Sequence, residues 1–214
     1  MFFPSIASLR GLDHSLSAWF NRLFILLLAV LPFHVLLSVF AEYKLGIPGF
    51  TLYKELILAV MVVTLSVLWY QKKLRYTPDR LDILIALYVG YLTFVTLWYP
   101  YPLQHFFYGG RYNFEFLAAF VIIRVGAQCL TDGVGRYLRV FLISASAALA
   151  LGIFVRWIAG EAVLLYFGFS PNLSNWAFGG SIPIYHGIDG ANVRRFQGIF
   201  DGPNPAGFFI LLYI

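Results

Sequence analysis

The chain has 214 residues, of which 60% are hydrophobic and only 12% charged, and its mean hydropathy is +0.78. A soluble domain carries about 25% charged residues, so this composition excludes a water-covered globular surface and points to lipid as the solvent. The net charge of +5 reflects loop topology rather than nucleic-acid binding, because Lys and Arg gather in cytoplasmic loops. A single cysteine, Cys129, excludes an internal disulfide and supplies no metal-site spacing.

A helix crosses about 30 Å of hydrocarbon with about 20 apolar residues. Five segments meet that length and a sixth begins, which predicts an all-α polytopic bundle. The first follows Arg22, "LFILLLAVLPFHVLLSVF", with Pro32 as a kink. Its end, Val39-Phe40-Ala41, loosely resembles a signal-peptide cleavage site. The apolar run is longer than a signal-peptide core and further spans follow, so an uncleaved anchor is expected. The second span, "LYKELILAVMVVTLSVLWY", ends on the interfacial aromatics Trp69 and Tyr70. The third runs from Leu81 to Tyr99, the fourth from Tyr112 to about Leu130 and the fifth from Leu138 to about Ala159. The sixth starts near Pro205.

Basic residues set the orientation. Arg10 and Arg22 precede the first span; Lys72, Lys73, Arg75 and Arg80 crowd the link "QKKLRYTPDR"; Arg136 and Arg139 follow the fourth. The alternate loops are sparser, with Lys44 and Lys54 offset by Glu42 and Glu55, then Arg111 alone. The N-terminus is therefore expected in the cytoplasm and loops one, three and five outside. Loop five, residues 160–204, is long and rich in aromatics such as Tyr166, Phe169 and Trp176. Loops of that length are often functional, and this one is expected to fold onto the membrane surface with "AVLLYFGF" in the interface.

In this topology the fourth and sixth spans begin at the outer face, and a helix N-terminus favours an anion. Gly109 and Gly110 stand before Arg111 at the first of these; Asn204 and Pro205 form an N-cap and first helical position at the second. Arg194 and Arg195 lie about ten residues before it, and guanidinium groups match phosphate oxygens in pairs. Each has a plainer reading. Arg111 suits an ion pair with Glu115 one turn on, and Arg194 and Arg195 suit lipid headgroups or loop carbonyls. Arg124 either faces the bundle interior or snorkels toward the cytoplasm, the second being favoured. Arg156 reaches the outer interface. His34 reads as a hydrogen-bonded packing residue. His105 and His186 lie in outer loops with no spacing that singles out a base, and Asp189 and Asp201 read as turn formers. No metal-ligand cluster, nucleotide loop or hydrolase triad pattern is present.

The stretch "RRFQGIFDGPNPAGFFILLY" resembles the O-antigen ligase and O-antigen polymerase family of bacterial membrane glycosyltransferases, with Arg195, Gly198, Phe200, Pro203 and Asn204 on the family's pattern. "GGRYNFEF", with Arg111, is similar to the family's earlier arginine site. The sharp motif covers about the last 20 residues, and the hydrophobic layout covers the rest loosely.

The resemblance implies an enzyme of the bacterial inner membrane acting in surface polysaccharide assembly. A glycan on undecaprenyl diphosphate is transferred, at the outer leaflet, to a hydroxyl of lipid A core, another glycan or a protein. The family uses arginines rather than a metal or other cofactor against the diphosphate, which here implies Arg111, Arg194, Arg195 and Asn204. The family's base, a histidine in a later outer loop, has no counterpart before Ile214. Family members have about ten or more spans, so an N-terminal portion, inactive alone, is expected. The alternative is a transporter of lipid-linked sugars or anionic solutes. It would need polar residues lining a path, and Glu115, Arg124 and His34, the candidates within spans, are too few to line one. A noncatalytic membrane scaffold is a third reading, and it leaves the arginines without a role.

Overall fold

The first apolar run folds as one helical stretch of 30 residues, Ser15–Lys44, and two others, Phe50–Tyr70 and Val134–Ala159, are also long and apolar enough to cross a membrane. At 1.5 Å per residue each spans about 30 Å or more. The computed structural model describes residues 14–98, 115–160, 162–171, 182, 184, 186–188, 191–195, 197–200, 207 and 210–211. In order, α1 is His14–Val30, α2 His34–Val39, α3 Tyr53–Tyr70 and α4 Arg80–Trp98. Helix α5 is described over residues 115–125, α6 is Val134–Phe154 and α7 is Ala162–Tyr166. Strands β1 (His186–Ile188) and β2 (Ala191–Arg195) form an antiparallel hairpin.

Several expectations are refined. The first span begins at Ser15, not after Arg22, because the preceding residues carry enough apolar side chains (Trp19, Phe20) to continue the helix. The fourth is α-helical only to residue 125 and closes in a 3-10 turn, Gly126–Cys129. Helix α4 has 19 residues and exposes Ile83, Leu84, Leu87, Tyr91, Phe94 and Leu97, a surface suited to lipid. The predicted sixth span is described only at residues 207, 210 and 211, which are helical. The hairpin is an addition to the all-α expectation.

The chain divides into two units, and each carries its own packing. The first comprises Met1–Leu23 and Glu55–Thr131. Here the fully buried ring of Phe20 lies against Gly126, where an added Cβ would stand 2.1 Å from the ring's Cζ. Only a glycine admits that contact. Ser17 Oγ donates to the Cys129 carbonyl at 3.3 Å, tying the start of α1 to the end of the 3-10 turn. Met61 and Leu68 of α3 are fully buried.

The second unit comprises Phe24–Lys54 and Asp132–Ile214. Pro32 has no N–H to continue the helical ladder, and the chain answers with a 3-10 turn over Leu31–Phe33. The His34 N–H then bonds Leu31 O, which deprives Val30 O of its ordinary helical donor. Side chains from elsewhere in the unit serve the break: Tyr53 Oη donates to Val30 O at 3.5 Å, and Ser144 Oγ donates to Ala29 O. In hydrocarbon a freed carbonyl needs such a donor. Ser144 belongs to a buried stripe of small residues on α6 with Ala145, Ala148 and Gly152, the kind of face that lets helix backbones approach closely. His34 shares a hydrogen bond of 3.4 Å with Ser38 and tilts against Tyr53, as a packing residue should.

Both long helices of this unit finish in π turns, Phe40–Lys44 after α2 and Val155–Ala159 after α6. Onto those ends folds the segment after Gly160. Val39, Ala148, Val155, Leu164, Phe169, Ile199 and Phe200 form one buried cluster. The expectation that "AVLLYFGF" lies in the interface is thus modified: Tyr166 is exposed, but Leu164 and Phe169 are core residues. Gly168, at φ +98°, lies close to the end of the first helical stretch: an added Cβ would stand 3.0 Å from Tyr43 Cβ and 3.2 Å from Val39 O.

Candidate functional site

The residues just before the predicted sixth span have a defined frame. β1 and β2 pair with His186 opposite Arg195 and Gly187 opposite Arg194. Directly after β2 the chain is anchored: Gln197, Ile199 and Phe200 are 2%, 1% and 2% exposed, and Gln197 Nε2 donates to Phe200 O at 2.8 Å. Gly198 supplies the turn between them at φ +61°, in the left-handed region that a side chain disfavours. Two residues of the family-like motif therefore have a local physical reason, Gly198 as the turn and Phe200 as the buried anchor. Arg194 and Arg195 are carried at the end of β2, six and five residues before that anchor.

Arg111 and Asn204, the other two predicted site residues, lie outside the described residues, as do Pro203, His105, Asp189 and Asp201. The hairpin brings His186 and Arg195 into register, a pairing that sequence reading did not anticipate because two short strands flanked by glycines give a weak alternation signal. Among the described residues no three His, Cys, Asp or Glu side chains converge where a metal ion would sit.

A second polar constellation, in the other unit, was missed as a group. Asp79 caps α4: its Oδ1 accepts from the N–H groups of Leu81 at 2.9 Å and Asp82 at 3.3 Å. Asp82 Oδ2 answers by accepting from Asp79 N at 2.7 Å, closing a reciprocal capping box. Arg124 of α5 then binds both carboxylates. Its Nη2 pairs with Asp79 Oδ2, and its Nε lies 3.1 Å from Asp82 Oδ1 and 3.0 Å from Tyr76 Oη. Tyr76 donates its own proton to Asp82 Oδ1. Burial first, then that hydrogen bond, raises the Tyr76 phenol above its ordinary value, so at neutral pH it remains a donor. Gln128 Nε2 adds a bond of 2.7 Å to Arg75 O.

Arg124 thus reaches the α3–α4 link, the side toward which it was expected to extend. It is three-quarters buried and is held by two carboxylates. The local signal was legible: Asp79-x-x-Asp82 before an apolar run is a capping-box pattern. The partner was not, since Arg124 lies 42 residues beyond Asp82. The arrangement fastens the link between α3 and α4 to the end of α5; it leaves no base or nucleophile poised for chemistry.

Three helices long and apolar enough to cross a bilayer mark the chain as a helical membrane protein. Comparison with known proteins adds no relative: no family model, no curated protein and no solved structure matches the chain.

Proposed function

We propose that this chain belongs to a membrane glycosyltransferase of the O-antigen ligase or polymerase type. It transfers a glycan from undecaprenyl diphosphate to an acceptor hydroxyl at the outer leaflet of the bacterial inner membrane. The observation that carries the reading is the motif "RRFQGIFDGPNPAG", supported by its setting: Arg195 ends a strand whose next residues, Gly198 and Phe200, are a left-handed turn and a core anchor. A cation held on a fixed frame can be aimed at a leaving group, and fixed charge lowers the barrier where negative charge develops. In this reading Arg195 and Arg111, with Arg194 and Asn204 assisting, bind the diphosphate as the glycosidic bond breaks. The transporter reading loses ground because Arg124, one of its few intramembrane polar residues, is engaged by Asp79 and Asp82.

The test is glycan transfer by the full-length protein, with membrane insertion verified for each variant. Charge-assisted contacts contribute about 1.5–3 kcal/mol each, so Arg195→Ala and Arg111→Ala are each expected to slow transfer on the order of tenfold to a hundredfold. Unchanged transfer in both variants would reject the diphosphate site. Orientation is tested separately. Cys129 is the sole cysteine and is buried, so Gly187→Cys should react with an impermeant thiol reagent from outside and Lys73→Cys should not.

A further inference from the structure

The link between α3 and α4 and the first residue of α4 carry four cations within nine residues, Lys72, Lys73, Arg75 and Arg80. The neighbouring carboxylates Asp79 and Asp82 are engaged by Arg124, which leaves this end with more cations than carboxylates. Lys72, Arg75 and Arg80 are exposed. Their backbone is nevertheless fixed. Leu74 is 5% exposed, Gln128 holds Arg75 O, and Lys72 takes a left-handed turn at φ 58° as α3 ends with its N–H on Trp69 O.

Aromatic side chains mark the same end of α3: Trp69 and Tyr70 are 70% and 87% exposed. A bilayer interface is where such rings settle. Within the same unit, Arg22 lies 5.8 Å over the Trp19 ring and both are exposed. Exposed rings at a helix end followed at once by fixed cations match the headgroup layer of a membrane, apolar on one side and phosphate-bearing on the other.

We propose that this end of the first unit is a binding surface for anionic phospholipid headgroups, with Lys72, Arg75 and Arg80 contacting lipid phosphates and Trp69 and Tyr70 seated at the acyl boundary. Arg124 is a positioning residue here: it adds a positive charge against Asp79 and Asp82, and by binding Asp79 it holds the chain that presents Arg75 and Arg80. The surface is independent of the glycosyl-transfer reading.

The full chain would be reconstituted in vesicles of equal phosphatidylglycerol and phosphatidylcholine, extracted in mild detergent, and its retained lipids measured by mass spectrometry. Phosphatidylglycerol should be enriched. Each Lys or Arg near a charged leaflet contributes about a fivefold effect, so Lys72→Gln with Arg75→Gln should cut retention on the order of twenty- to thirtyfold. The charge-preserving pair Lys72→Arg with Arg75→Lys should stay within about twofold of the parent. If the double glutamine variant does not fold, Lys72→Gln alone should lose about fivefold. Equal retention by parent and glutamine variants would overturn the proposal. So would displacement of the lipid by sodium phosphate more readily than by sodium chloride of equal ionic strength, which would mark a site for free phosphate.

Discussion

Each unit of this protein must fasten a stretch of non-helical chain to the ends of its helices, and the two do so by different physics. In the first, the α3–α4 link is held by charge: a guanidinium between two carboxylates, a tyrosine, and a reciprocal cap. In the second, the segment after Gly160 is held by apolar burial, with Leu164, Phe169, Ile199 and Phe200 packed on Val39, Ala148 and Val155. The difference bears on function. Where charge does the fastening, an arginine is used up by the fold. Where apolar side chains do it, arginines on the same segment need not serve the fold, and that is the ground on which Arg195 rather than Arg124 is proposed to meet a ligand.

The apolar fastening is the easier to break. Phe200→Ala should destabilise the second unit by about 3–5 kcal/mol, the usual range for removing a buried aromatic, read as an earlier melting transition in detergent and faster proteolysis of residues 160–200. Arg195→Ala should leave that melting transition in place while transfer falls on the order of tenfold to a hundredfold; Arg195→Lys, which keeps the charge but loses the paired donors, should lie between. A variant that lost transfer and melted early together would place Arg195 with the anchors instead.

In the first unit, Gly126→Ala sets a methyl against the buried Phe20 ring and should cost about 1–3 kcal/mol by overpacking, with thermal unfolding as the measure. The smallest effect belongs to the cap: Asp79→Ala should cost about 1 kcal/mol through the lost N-cap, with part of it abolished at molar salt, where charges on the exposed side of Asp79 are screened. Phe200→Ala should show no such salt dependence. Equal salt responses would erase the distinction between the two fastenings.

How much of this was legible beforehand differs by residue. Pro32 announced its own break, because the missing N–H acts within one turn. Gly198 and Phe200 stood in a recognisable motif, but that one is a turn and the other an anchor depends on the cluster they join. The partners of Arg124 were not legible, since nothing in its own helix shows that Asp79 and Asp82 cap a helix beside it.

By itself the sequence determined the apolar character of the chain, three of its long helices and the break at Pro32, since hydrophobic length and proline act over a few residues of contiguous chain. Only the tertiary structure decided which donors serve the carbonyls freed at Pro32, which carboxylates hold Arg124, and that His186 faces Arg195 across a hairpin. Those pairings join residues tens of positions apart or depend on strand register, and both are settled by how apolar faces pack, not by any local pattern.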